Sequence, residues 1–273
     1  MTKPFLKYVG GKYKLLDNIL PHLHQSNRLI EPFVGSGSIM LNTDYNNYIC
    51  NDNNNDLINL YNIIKKDGLD FINEAELLFT PENNTSEMYY AYREEYNTTL
   101  DSYRKSALLV YLNKHCFSGL YRCNRSGSYN VPFGKYKNVN YPKVELINFY
   151  TKSQNVIFDC MDFVDTMELA VFGDCIYCDS PYSPLDQVSN FTAYGKNVFG
   201  VDEHLLLRDK AISLSNMGVT VVISNHDTIY TRELYSAAAD NIISFPVKRN
   251  NAANTSSRKT VMELLAVYKS KWC

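Results

Sequence analysis

The 273-residue sequence has no apolar run approaching the roughly 18 residues that cross a membrane, which argues against an integral membrane protein. Its opening, MTKPFLKYVGGKYK, has no apolar stretch followed by a small-residue cleavage site, so no export signal is read there and a cytoplasmic setting is expected. Seven cysteines, an odd number, are scattered in a way that suits free thiols in a reducing compartment. Cys175 and Cys178 form a C-x-x-C, but no second ligand pair is spaced to complete a zinc site, and both sit in the strand-like DCIYCDSPY; no metal is expected. Internal repeats and low-complexity tracts are also missing, apart from an Asn/Ser-rich stretch at 250–257 expected to form a polar loop.

Excess charge is lacking as well: the formal net charge is −2. That average conceals an asymmetry. Between positions 103 and 143 lie eight basic residues (Arg104, Lys105, Lys114, Arg122, Arg125, Lys135, Lys137, Lys143) and no acid, which leaves 19 basic against 29 acidic residues elsewhere, a balance of −10. Tyr111, Phe117, Tyr121, Tyr129, Phe133, Tyr136 and Tyr141 are interleaved with them. Cations for phosphates beside rings that stack on bases fit a nucleic-acid surface, and a solvated face over ordinary core aromatics fits the composition equally well.

Hydrophobic periodicity predicts a strand at 28–34, a helix at 39–43 and a strand at 47–51, then a helical stretch over 57–112 and a hairpin with loop over 118–136. Strands are expected again at 155–160, 175–179, 219–224, 241–247 and 262–268, with helices at 202–217 and 231–238. The result is an α/β sheet interrupted by a helical insertion.

Four constellations carry chemistry. Glu31-Pro32-Phe33-Val34-Gly35-Ser36-Gly37-Ser38 follows the first strand, where glycines let the backbone approach a nucleoside cofactor; a bare strand-to-helix turn would read the same. Asp52 lies 17 residues beyond Gly35, after the next strand, where an acid can accept both hydroxyl protons of a ribose; it could instead cap the helix opening in NNNDLINLYNII, a role open also to Asn53, Asn54 and Asn55. Asp179-Ser180-Pro181-Tyr182 ends an apolar strand. Asp179 and the Ser180 carbonyl could accept the two hydrogens of adenine's amino group, localising its lone pair for attack on a sulfonium methyl, with Tyr182 stacked on a base extruded from the duplex. In isolation that tetrapeptide is also a turn signal. Lys7-Tyr8-Val9-Gly10-Gly11-Lys12 offers backbone amides and the Lys12 cation to a carboxylate, and it lacks the upstream glycine and the Ser or Thr of a P-loop.

The order KYVGGK, EPFVGSGS, a long insertion and DSPY resembles the Dam adenine methyltransferases of the alpha group, over nearly the whole chain and including NVPFGKY (130–136), NFTAY (190–194) and ISNHDT (223–228). The resemblance implies an α/β, Rossmann-like S-adenosylmethionine-dependent methyltransferase with a mixed seven-stranded sheet, residues 1–55 and 145–273 being catalytic. Residues 56–144 would form an inserted helical and β-hairpin DNA-recognition domain. It implies double-stranded DNA containing GATC as substrate, S-adenosylmethionine as methyl donor, S-adenosylhomocysteine as product, no metal and no obligate protein partner, in a prokaryotic or viral setting. Tyr8, Gly10, Lys12, Phe33, Gly35, Gly37, Asp52, Asp162, Phe163 and Asp179 would line the cofactor pocket. Asp179, Ser180, Pro181 and Tyr182 would hold the flipped adenine. Lys7 and Arg122 would read guanines, Phe117 would wedge into the opened stack, and Ser118, Leu120, Asn124, Pro132 and Tyr136 would complete the base contacts. Asn130 joins this DNA-binding set, and Arg93, Lys114 and Lys137 would meet phosphates.

Two positions depart from the family pattern. Ser180 stands where the family usually has the first proline of Asp-Pro-Pro-Tyr, which implies a looser site and reduced activity, or at the extreme a GATC-binding protein with weak or lost turnover. Ser118 follows an aromatic residue where the family typically has Asn, which implies weaker stabilisation of the orphaned base. Transfer to RNA or to a protein glutamine is a further alternative, disfavoured by the acid that opens DSPY.

Overall fold

The computed structural model describes residues 1–124, 127–182, 199–248 and 260–272, apart from the side chains of Lys248 and Thr260. The NFTAY stretch and the polar segment 250–257 lie outside the described residues. Seven strands among them, β1 (Arg28–Glu31), β2 (Asn47–Asn51), β3 (Val156–Asp159), β4 (Cys175–Asp179), β5 (Thr220–His226), β6 (Asn241–Lys248) and β7 (Thr260–Tyr268), form one sheet. Its order is β3-β2-β1-β4-β5-β7-β6. With helices α1 (Leu16–Ile19), α2 (Asn55–Glu76), α3 (Ser86–Thr98), α4 (Ser102–His115), α5 (Lys143–Ser153), α6 (Phe163–Glu168), α7 (Val201–Asn216) and α8 (Ile229–Tyr235), this is the expected α/β, Rossmann-like fold with a mixed seven-stranded sheet.

Chain contacts divide the molecule into two compact units. The first comprises Met1–Leu16, Val34–Asp44 and Cys50–Cys160. Here α2 packs on α4 and on α5, and α3 packs on α4. Side chains start these helices where the sequence supplies caps: Asn54 accepts from the Leu57 amide at 3.3 Å, and Asp101 accepts from Tyr103 and Arg104 at 2.9 and 3.2 Å. Beyond α4 the chain runs out and back, with antiparallel bridges Cys116 to Phe133 and Cys123 to Tyr129.

The second unit comprises Asp17–Phe33, Tyr45–Ile49 and Met161–Cys273. In it β1, β4 and β5 run parallel, and β7 is antiparallel to both β5 and β6. All seven residues of β5 are buried, the polar Ser224, Asn225 and His226 with the apolar Val221, Val222 and Ile223, as in a strand covered on both faces. Ile30, Ile176, Cys178, Val221, Ile223, Leu264 and Ala266 pack with Met167, Leu207, Ala211, Leu214 and Tyr235 in one core cluster. Each fully buried aliphatic side chain contributes about 1.5–3 kcal/mol. Cys175 and Cys178, three apart in β4, project from opposite faces, and burial pushes the Cys175 thiol up to about 11.

The expected helix at 39–43 is instead a single 3-10 turn, Met40–Asn42. Asn42 Nδ2 donates to the Ser38 carbonyl at 2.9 Å and Thr43 Oγ1 to that of Ile39 at 2.9 Å, so side chains take the carbonyls that another turn would need. Two helices had no counterpart in the sequence reading. α5 starts at Lys143 after Pro142, which supplies no side-chain cap, and α6 is short and capped by Asp162.

Candidate active site and nucleic-acid face

In the first unit the turn after β1 is built around Gly35. Its φ of +47° lies in the left-handed region, and a Cβ there would sit 3.2 Å from the Tyr8 ring, so the position requires glycine. The Gly35 amide donates to Asp52 Oδ2 at 3.0 Å, and its carbonyl accepts from Tyr61 Oη at 2.5 Å. Asp52 Oδ1 accepts from the Asn54 amide at 3.0 Å. Asn54, not Asp52, caps α2, which leaves the acid to the turn. Burial holds the Asp52 carboxyl above its ordinary range, while the Asn54 and Gly35 amides pull it down. Gly10 and Gly37 also take positive φ, +77° and +72°. The buried Lys12 donates from Nζ to the Gly10 carbonyl at 3.1 Å.

In the second unit Phe33, Phe163 and Phe199 form a three-ring cluster with centroids 5.4–5.6 Å apart, Phe33 stacked on Phe163. Asp162 is exposed and accepts from the Val164 amide at 2.9 Å as the cap of α6. Asp179, half-buried, closes β4 opposite Ser224 of β5. Ser180 is buried and Pro181 exposed. The Tyr182 hydroxyl donates to Glu263 and lies 3.4 Å from Ser224 Oγ, which donates to the same Glu263 oxygen at 2.7 Å. His226 meets the Tyr182 ring edge-on at 4.3 Å. Burial first, then the negative charges of Asp179 and Glu263, push the Tyr182 phenol well above its ordinary range, so it stays a hydrogen-bond donor.

The basic stretch folds within the first unit. Lys7 Nζ stands 4.7 Å above the Tyr136 ring, and the Tyr136 hydroxyl accepts from the Ser118 amide at 2.9 Å. A Cβ at Gly119 would fall 2.3 Å from the Lys7 side chain, so only glycine admits that lysine. Phe117 is half-exposed, its amide donating to the Pro132 carbonyl at 2.9 Å. Arg122 Nε donates to Asn130 Oδ1 at 2.8 Å, and the Asn130 amide returns a bond to the Arg122 carbonyl at 3.1 Å. Asn124 Oδ1 accepts from the Ser128 amide at 3.0 Å, Leu120 accepts from Tyr129 Oη at 3.1 Å, and Lys137 is exposed. Arg93 lies over the Tyr90 ring at 4.7 Å and is bonded to the Val131 carbonyl at 3.2 Å.

Residues 8–251 match the family described as D12 class N6 adenine-specific DNA methyltransferase. The chain belongs to that family. Curated relatives named DNA adenine methylase span it almost end to end. One from Serratia marcescens is 47% identical over 98% of this chain and 99% of its own length. One from Escherichia coli K12 is 45% identical over 98% and 96%, and one from Vibrio cholerae is 42% identical over 97% and 96%. This D12-class methyltransferase is therefore an adenine-specific DNA-modifying enzyme, as the sequence reading expected. Among the described residues no helix is long and apolar enough to cross a membrane.

Several residues around Tyr182 and Ser180 escaped the sequence reading. Glu263, Ser224 and His226 surround Tyr182 only because the antiparallel register sets His226 opposite Glu263. A buried acid in the apolar strand VMELLAVY was the available signal. Ser180, expected to loosen the motif, is 1% exposed and accepts from Asn225 Nδ2 at 3.3 Å. Ser118 adopts φ +58°, a conformation Asn tolerates better than Ser, which gives the departure at that position a local backbone cost.

Proposed function

We propose that this enzyme transfers a methyl group from S-adenosylmethionine to N6 of an adenine flipped out of duplex GATC, releasing S-adenosylhomocysteine. The observation that supports it most is the pairing of the half-buried Asp179 at the end of β4 with a Tyr182 ring clamped by Glu263, Ser224 and His226. A carboxylate acceptor beside an oriented aromatic face is what an extruded aminopurine needs.

The residues present suit the donor. Each Asp52 oxygen takes one backbone N–H, which leaves lone pairs for ribose hydroxyls, and a Cβ at Gly10 would meet nothing within 4 Å, so the backbone there is open. Lys12 and the amides beside Gly10 would hold the donor's carboxylate, and Phe33 and Phe163 with Gly37 and Asp162 would border the nucleoside. When bound, the sulfonium group supplies an electrophilic methyl. Asp179 and the Ser180 carbonyl accept the two N6 hydrogens, which returns lone-pair density from the ring to nitrogen. Tyr182 fixes the ring plane, and Asp179 takes the proton that N6 sheds after transfer.

On this reading residues 56–144 are the target-recognition domain inserted between catalytic residues 1–55 and 145–273. Lys7 and Arg122 read guanines, Phe117 fills the gap, Ser118, Leu120, Asn124, Pro132 and Tyr136 complete the base contacts, Arg93, Lys114 and Lys137 anchor the backbone, and Asn130 belongs to the same DNA-binding set. The enzyme works in the cytoplasm on chromosomal or viral DNA, with no obligate protein partner. Tritium from the methyl donor should enter adenine of a GATC duplex and disappear in Asp179→Ala. Label in cytosine, or unlabelled DNA with the unsubstituted enzyme, would refute the proposal.

A further inference from the structure

Ser180 is the one member of the DSPY motif whose side chain is sealed from solvent, at 1% exposure, yet it is polar. A buried hydroxyl needs partners, and it has two. Asn225 Nδ2 donates to Ser180 Oγ at 3.3 Å, while Asn225 Oδ1 accepts from the His226 amide at 2.8 Å, which orients the carboxamide with its nitrogen toward Ser180. On the other side the Ser180 hydroxyl faces the phenol of Tyr235, the fully buried last residue of α8, and favours its ionised form as a donor would. The Tyr235 hydroxyl lies 2.6 Å from His204 Nδ1, on α7.

Chemistry gives this chain of groups one direction. Asn225 Nδ2 can only donate, so Ser180 Oγ accepts there and turns its single proton toward Tyr235. Tyr235 in turn donates its hydrogen bond to His204 Nδ1. Burial holds His204 down at about 4, so the imidazole is neutral and Nδ1 is free to accept. Its Nε2 is buried without a partner among the described residues, and the Phe199 ring meets the imidazole edge-on at 4.7 Å. A buried nitrogen without a partner costs stability, and the bond from Tyr235 to Nδ1 offsets part of that cost.

Ser180 thus has its χ1 fixed from both sides, and its backbone is already restricted by the proline that follows. We propose that the Asn225–Ser180–Tyr235–His204 chain is a positioning device that aims the Ser180 carbonyl at the adenine amino group, with Tyr235 and His204 as positioning residues remote from the reacting atoms. This rests on the adenine-transfer reading above. A proline ring in place of Ser180 would restrict the same backbone by covalent means and would need neither partner.

The test is a double-mutant cycle on the full-length enzyme with a GATC duplex. Tyr235→Phe removes one hydroxyl and keeps the ring. In the Ser180 enzyme it should lower kcat about ten-fold, with KM for DNA and for S-adenosylmethionine within about two-fold. In a Ser180→Pro background the same substitution should change kcat by less than about two-fold, because no hydroxyl remains to be held. His204→Leu should reproduce the loss, and His204→Gln, which can still accept from Tyr235, should restore most of the rate. Should Tyr235→Phe fail to fold, the two His204 variants carry the comparison. An equal fall in both backgrounds, no fall in the Ser180 enzyme, or a fall confined to KM would overturn the proposal while leaving adenine transfer intact. Absence of transfer by the unsubstituted enzyme would overturn both.

Discussion

Asn113 brackets the main chain of Lys7: its Oδ1 accepts from the Lys7 amide and its Nδ2 donates to the Lys7 carbonyl, each at 2.8 Å. Asn113 is 3% exposed on α4, whereas the Lys7 side chain is exposed over Tyr136, so a buried amide sets the place of a cation at the surface. Asn113→Ala should therefore cost about 1–2 kcal/mol in chemical denaturation, because water can reach part of the freed backbone. It should also relax selectivity at the guanine that Lys7 is proposed to read by about ten-fold. Comparing kcat/KM on GATC with that on AATC measures this, and an unchanged ratio would show that Lys7 does not depend on the bracket.

On the proposed function, Asp52 would link pH to cofactor binding. Burial raises its carboxyl above the ordinary 3.8, with the Asn54 and Gly35 amides opposing. Between the unfolded and the raised folded value the native state binds the extra proton. The stability contribution is therefore largest below the unfolded value and is lost as pH rises through the folded one. Ligand binding runs the other way, because ribose hydroxyls need the ionised acceptor. Calorimetric affinity for S-adenosylhomocysteine should be flat near neutrality and fall as the solution is acidified toward the folded value. Asp52→Asn should lose about ten-fold or more in affinity and flatten the acid limb.

The clamp on Tyr182 separates ring from hydroxyl. Tyr182→Phe keeps the stacking face but leaves Glu263 with Ser224 as its remaining donor of that pair, so kcat should fall by about ten-fold or less. Tyr182→Ala removes the face itself and should cost about a hundred-fold, with weaker fluorescence from 2-aminopurine at the target position because the base is no longer held outside the duplex. Equal losses in the two variants would assign the work to the hydroxyl.

What could be read without coordinates divides along physical lines. β2 and β4 fall at 47–51 and 175–179 as predicted, because their apolar runs are short, β-rich and bounded by turn residues. The glycine turn and DSPY were legible because their chemistry is local in sequence. α5 and α6 were not: one lacks a cap signal and the other is six residues long, too short for a period to register. The partners of Tyr182 and Ser180 were illegible for a different reason. Glu263 lies 81 residues from Tyr182 and Asn225 lies 45 from Ser180, and only the register of β5 against β4 and β7 brings each pair within bonding distance.

Lys114 should give the protein two pH responses of opposite sign. It lines a cavity of about 440 Å³ with Lys3, Lys7, Tyr136 and Glu145. Burial, and then the charges of Lys7 and Lys3, bring its ammonium down to about 8, with only Glu145 pulling upward. The unfolded chain keeps that proton to its ordinary 10.5, so the unfolded state binds more protons between about 8 and 10.5, and stability from this group rises with pH across that window. DNA affinity moves the other way, since a phosphate is held by the protonated form. Fluorescence anisotropy with a GATC duplex should show binding weakening from pH 7 to 9 at fixed salt. Lys114→Arg, charged throughout, should flatten that slope, and Lys114→Ala should lower the salt dependence by about one counterion. If the arginine enzyme keeps the slope of the lysine enzyme, the titrating cation lies elsewhere on the DNA-binding face.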